Sequence, residues 1–321
     1  MNRRAFVGSL AAALVATRAH AQQPRRVHVI GWLSSDPEPD LFLEGFREGM
    51  RQHGYVEGQN VAIVSRFGTG DPASLVGKVE QVTQAKPALI VARGTAVRAL
   101  RAERQLPVLI AVSGDPVELG LADSLARPGR NFTGTTFMSL EVAAKRVDLL
   151  KQAVPKLRNL IALSNLDHPG EPAERQATAA AATALGMMMT PVLFTGAREL
   201  DTALAAVRGA RGDAMIVFPE GVTMGNRVKV AQFAAEQRLP TMFGWSEYCE
   251  AGGLMSYGAN QREAYVHLAT YADRVLRGSK PADLPIERPT RFELVLNLKT
   301  ARALAVQIPQ TLALAAARVI E

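Results

Sequence analysis

The residues best equipped for chemistry gather in one stretch, FGWSEYCEAGGLMSYG at 243–258, with a Trp, two Tyr, two Glu, four Gly and the chain's only Cys. Cys249 could serve as a nucleophile with His267 as its base, but nothing places a third group to orient such a pair. A lone buried cysteine is more often a small hydrophobe. Other catalytic signatures fail as well. No GxSxG elbow occurs. His28, His53, His168 and His267 show neither HExxH spacing nor companion cysteines, so no metal site and no cofactor are expected. Gly68 to Ala73 fits GxGxxA, yet it follows the second apolar run and Asp71-Pro72 turns it into a helix start, which argues against a dinucleotide site. No catalytic residue is assigned. Binding of a small molecule is the reading the inventory favours, with a hydrolase or isomerase acting on a small carboxylate as the alternative, because a fold does not dictate a function.

Candidate ligand contacts stand at the ends of apolar runs. In the first half these are Ser34, Ser35, Thr95 and Ser113; in the second half, Asn165, Glu220, Trp245 and Glu247. Hydroxyls beside helix N-termini suit a carboxylate, because unpaired N–H groups converge there. An acid opposite them could pair with a ligand ammonium group, and an aromatic ring could cover its side chain. Each of these residues could instead cap its own helix. For Asp115 the cap reading prevails, since Pro116 and Glu118 complete a capping motif. Trp32, inside the first apolar run, reads as core.

These residues need elements to position them. Short Val-, Ile- and Leu-rich runs alternate with longer amphipathic segments, the signature of βα units around buried parallel strands. A first series comprises residues 27–35, 60–68, 87–95 and 106–115; a second comprises 159–165, 190–196, 213–221 and 239–248. The fourth members are introduced almost identically, as ERQLP and EQRLP. Helices are expected over SLVGKVEQVTQA, VELGLADSLA and REAYVHLATYADRVLRG. The fold class is α/β, with two doubly wound Rossmann-like lobes in tandem. The Gly-rich 250–253 segment reads as a crossover leading to a strand at 254–257 back in the first lobe. The proline-bearing stretch from Lys280 to Phe292 reads as another crossover, giving a three-crossover hinge.

The chain opens with Arg3-Arg4, an apolar run from Ala5 to Ala16 and the small-residue pattern Ala19-His20-Ala21. This is the design of a secretory signal peptide over residues 1–21, cleaved near Ala21, in a run too short for the ~20 residues of a spanning helix. A twin-arginine signal shares the arginine pair, though an ordinary positive n-region does too. No cysteine follows the run, so no lipid anchor is expected. Cleavage removes three arginines and no acid, lowering the formal charge from +7 to +4. No block of like charges suggests nucleic acid as a partner. One cysteine forms no internal disulfide, so in an oxidising compartment the fold rests on its core.

Several longer stretches resemble one family. FREGMRQHGYVEGQNVAI (46–63), GDPVELGLADSLARPGRNFTG (114–134), KRVDLLKQAVPKL (145–157), EAGGLMSYG (250–258) and KPADLPIERPTRFELVLNLKTARALAVQIP (280–309) are similar to ABC-transporter substrate-binding proteins of the tryptophan/tyrosine-type group. Arg130 to Phe132 and Cys249 depart from the usual pattern of that group. The resemblance implies the type I periplasmic binding fold, with an N-terminal lobe of residues 22–136 plus 254–286 and a C-terminal lobe of 137–253 plus 287–321. It also implies a soluble, monomeric periplasmic receptor that closes on an amino-acid-like or aromatic carboxylate ligand. Such a receptor docks transiently on an inner-membrane ABC permease. An effector-binding domain of a repressor can share the fold, but the signal peptide and the missing helix-turn-helix argue against it.

Overall fold

A computed structural model describes residues 27–321 except 37, 39, 71, 138, 139 and 169. The expected signal peptide and its cleavage point near Ala21, like the Asp71 cap, lie outside the described residues. Strands β1 (His28–Ser34), β2 (Val61–Phe67), β3 (Leu89–Arg93), β4 (Val108–Val112) and β5 (Phe132–Thr136) form one sheet in the order β2-β1-β3-β4-β5. Every pairing in it is parallel. The central strands of such a sheet are covered on both faces and are mostly apolar, and β3, β4 and β5 are buried at every position. Helices α1 (Leu41–Gln52), α2 (Lys78–Gln84) and the short α3 (Ala96–Ala99) make the connections.

The second sheet repeats the plan. Strands β6 (Asn159–Asn165), β7 (Met188–Phe194), β8 (Ala214–Val217), β9 (Thr241–Phe243) and β10 (Met255–Gly258) stand in the order β7-β6-β8-β9-β10, all parallel. That order matches β2-β1-β3-β4-β5 strand for strand, so each lobe is doubly wound as expected. β11 (Glu293–Asn297) adds antiparallel to β10, and β12 (Arg318–Ile320) adds parallel to β11. This lobe carries α4 (Ala143–Ala153), α5 (Glu171–Ala184), α6 (Leu200–Gly209), α7 (Gly221–Gly225), α8 (Arg227–Glu236) and α9 (Ser246–Glu250). It also holds the last two helices, α11 (Leu298–Ala303) and α12 (Gln310–Ala315), while α10 (Gln261–Leu276) packs back on α1 of the first lobe. The two helices approach so closely at Gly49 that a Cβ there would meet the Val266 carbonyl.

Two expectations need correction. The strand expected in the first lobe at 254–257 belongs to the second sheet, where Met255 and Ser256 pair with Met242 and Phe243 of β9. It is the counterpart of β5. Gly252, at φ 101°, reverses the chain from α9 into β10 instead of carrying it across, and the second crossing comes after Gly258. The helix expected over VELGLADSLA is a single turn: Asp115 Oδ1 accepts from Val117 N at 2.7 Å, and Gly120, at φ 67°, ends it. Gly77, at φ 77°, likewise separates a short 3-10 turn at Pro72–Leu75 from α2.

Trp32 is fully buried between Phe46 and Tyr265 and donates its Nε1 hydrogen to Asp40 Oδ2 at 3.0 Å. Asp40 also caps α1 by accepting from Phe42 N and Leu43 N. Burying a side chain of this size stabilises the fold by roughly 1.5–3 kcal/mol. One hydrophobic cluster runs from Trp32 and Phe46 through Phe137, Trp245 and Tyr265 to Met215 and Val217 in the other lobe. The two lobes are closed against each other.

Candidate functional site

In a doubly wound sheet, ligands sit outside the carboxyl ends of the strands. At the end of β1, Ser34 Oγ accepts from Asp36 N, and Ser35 Oγ donates to Asp36 Oδ1 at 3.1 Å while accepting from Thr95 N at 3.3 Å. Gly94, at φ 61° in the turn after β3, lets this happen, since a Cβ there would overlap Ser35 Oγ. Asp36 forms a buried ion pair with Arg93, whose guanidinium lies 4.3 Å over the Phe42 ring. Burial alone would pull the Arg93 pKa down. The carboxylates of Asp36 and Asp40 outweigh it and hold Arg93 above the ordinary arginine value.

The second lobe answers with loops after β6, β8 and β9. Glu220 follows β8 and caps α7, its Oε2 accepting from Val222 N at 2.8 Å and its Oε1 from Thr223 N at 2.5 Å. Asn165 Nδ2 adds a third bond to Glu220 Oε2 at 3.0 Å. Burial raises the Glu220 pKa, opposed by the Thr223, Asn165 and Val222 bonds. Trp245, after β9, is 4% exposed and meets Phe137 edge-on at 5.9 Å between ring centroids.

Across the interface Ser113 Oγ donates to Pro219 O at 3.3 Å. Gly114 lies so near Gly170 that a Cβ on it would sit 3.3 Å from the Gly170 nitrogen. At Gly221 a Cβ would collide with Asp36 Oδ1. Between these contacts lies a narrow cleft with about 50 Å³ of free volume. Aromatic surface from Phe137, Trp245 and Tyr265 lines it together with Ala111 and Val112. Thr95 Oγ1, His168 Nε2, Trp245 Nε1 and Gln261 Nε2 belong to residues of this lining and are buried without a hydrogen-bond partner. A buried polar atom left unpaired costs about 1–3 kcal/mol, so four around one cleft are a marked expense unless something completes them. Trp245 Nε1 and Gln261 Nε2 can only donate, and Thr95 Oγ1 can donate. The missing partner is therefore an acceptor, and a carboxylate beside a flat apolar group fits both the donors and the rings.

Of the residues expected from sequence, Thr95, Ser113, Glu220 and Trp245 line this cleft. Ser34, Ser35 and Asn165 lie beneath it, where they hold Asp36, Thr95 N and Glu220 in place. Glu247 lines a separate depression with Phe42, Arg262 and Arg291, because two positions along a helical turn face directions about 200° apart. Burial raises the Glu247 pKa. Sequence reasoning passed over Arg93, Phe137, Gln261 and Tyr265, and considered His168 only as a metal ligand. The usable signal lay in Arg93 and Gln261, polar residues at a strand end and a helix start on the cleft side. Cys249 is fully buried, its thiol pushed up to about 12 by burial, while His267 is half-exposed and bonded to Glu287. The two do not form a dyad. Among the described residues, no group of three His, Cys, Asp or Glu could hold a metal ion, and no helix is long and apolar enough to cross a membrane.

Comparison with known proteins gives a consistent picture. The family model described as ABC transporter substrate binding protein matches residues 26–320. A tyrosine-binding protein of Clostridioides difficile (strain R20291) is 24% identical over 281 residues, covering 87% of this chain and 80% of that one. The crystal structure of an ABC domain from Streptococcus pneumonia in complex with L-Trp superposes with a TM-score of 0.83 at 25% identity, covering 91% of this chain and 99% of that one. The ligand-free, open structure of a substrate-binding protein with adhesive properties from Clostridium difficile superposes at 0.63, with 23% identity and 91% and 99% coverage.

Proposed function

The chain belongs to the family of ABC transporter substrate-binding proteins, and from this premise we propose that it is the exported receptor of an ABC uptake system that encloses one aromatic amino acid. The carrying observation is the convergence of three unpartnered donors, from Thr95, Trp245 and Gln261, in a cleft walled by Phe137, Trp245 and Tyr265. The donors take the ligand carboxylate, and the rings take its side chain. Glu220 retains acceptor capacity on Oε1 for an ammonium group. The tyrosine-binding relative and the L-Trp complex support the same class.

Binding then proceeds by closure. In the open state the two rims are hydrated and their donors are satisfied by water. Ligand binding replaces that water, and closure adds the interlobe contacts at Ser113, Gly114 and Gly221. The closed receptor, a monomer in the periplasm after removal of residues 1–21, docks transiently on its permease and releases the ligand on reopening. Isothermal titration with L-tryptophan and L-tyrosine, backed by native mass spectrometry, tests this. A ligand at ~100 times its dissociation constant adds ~2.7 kcal/mol of stability. Absence of binding by any aromatic amino acid refutes the ligand class, and turnover of a bound compound refutes the receptor role.

A further inference from the structure

A group of polar and charged side chains is buried in the second lobe beside the cleft. Arg146 on α4 is 1% exposed, Glu174 on α5 is 2% exposed, and Arg146 Nη1 donates to Glu174 Oε1 at 2.7 Å. At one end, Arg146 Nε donates to the Tyr257 carbonyl at 2.8 Å, in β10 just before the second crossing. At the other end, Glu174 Oε2 lies 3.4 Å from Nε2 of His168, and His168 lines the cleft. Neither of those two atoms has a hydrogen-bond partner. The loop bearing His168 also carries Gly170, which presses on Gly114 of the first lobe. A continuous path thus joins cleft, closure contact and crossing.

Stability is a poor explanation for this arrangement. Desolvating a buried ion pair consumes most of what its attraction returns, and apolar residues of the same volume often serve as well or better. Burial pulls the Arg146 pKa down despite its Glu174 partner, which shows how strongly this environment disfavours charge. The orphaned atoms of Glu174 and His168 make the set incomplete as well as costly. What the set does supply is a carboxyl group 3.4 Å from an imidazole ring at the cleft wall.

We infer that His168 is a ligand-contacting residue, and that Glu174 and Arg146 are positioning residues that hold its ring and tie ligand contact to the crossing at Tyr257. A ligand acceptor bonded to one ring nitrogen turns the ring so that the other closes on Glu174, and Arg146 carries that adjustment to the backbone that must bend on closure. This rests on the aromatic amino-acid reading above. The test is titration of L-tryptophan into four proteins: wild type, His168→Gln, the charge-free pair Arg146→Met with Glu174→Gln, and the triple variant. His168→Gln and the pair are each expected to weaken binding by about ten-fold, the scale of one hydrogen bond to a charged group. The triple variant is expected to be no weaker than His168→Gln, because residues acting as a unit are not additive. If the paired variant does not fold, Glu174→Gln alone replaces it in the same cycle. Unchanged affinity in His168→Gln, or losses that multiply to about a hundred-fold in the triple variant, overturns the inference while leaving the receptor reading intact. A wild type that binds neither L-tryptophan nor L-tyrosine overturns both.

Discussion

Replacing Trp245 with Phe separates the two roles of that residue. The ring's contact with Phe137 is largely kept, while the indole N–H, buried and without a protein partner in the closed form, is removed. In the complex that N–H is expected to donate to the ligand carboxylate, a bond to a charged group worth about 1.5–3 kcal/mol. Its loss corresponds to about 10- to 150-fold in affinity. Without ligand the lobes open and water satisfies the indole, so only packing is lost. The smaller ring then costs about 1 kcal/mol. Titration calorimetry should therefore show a loss of affinity larger than the small fall in ligand-free stability. An affinity within about two-fold of wild type refutes the assignment of Trp245 Nε1 to the ligand.

Closure and the outlying acid give further tests. Gly221→Ala places a Cβ against Asp36 Oδ1, so small-angle scattering with L-tryptophan present should show a population shifted to open lobes, with weaker binding and little change in ligand-free melting. Glu247→Gln should leave L-tryptophan affinity unchanged, since that side chain lines a different depression. Its effect on stability depends on pH. Burial raises the folded-state pKa of Glu247 above its unfolded value, so the folded protein keeps a proton that the unfolded chain has released. Stability consequently falls as pH rises from the ordinary carboxylate range through the raised value and stays lowered above it. Glu247→Gln should raise the melting temperature at neutral pH and leave it unchanged near pH 3, below the ordinary carboxylate range, where both states are protonated.

Much of this protein was legible as sequence because its central strands are buried on both faces. Burial forces near-continuous apolar runs, and eight of those runs with one helix between successive members suffice for two doubly wound lobes. The rule that ligands sit at the carboxyl ends of such strands led to Thr95, Ser113, Glu220 and Trp245 without any coordinates. What sequence could not decide was partnership across distance. The four residues of β10 carry no mark of which sheet they join, because that depends on the exposed edge of β9 that they meet. Trp245 and Glu247 look equally well placed two positions apart, and only the turn of α9 sends one into the cleft and the other away from it. Arg93, Phe137, Gln261 and Tyr265 come from a strand end, a crossing segment and a helix of the first lobe, and they become one wall only when the second lobe closes on them. Local patterning determined the elements and their order. Tertiary contact alone decided which polar groups would be left unpaired around a common space, and those groups are what make the space a site.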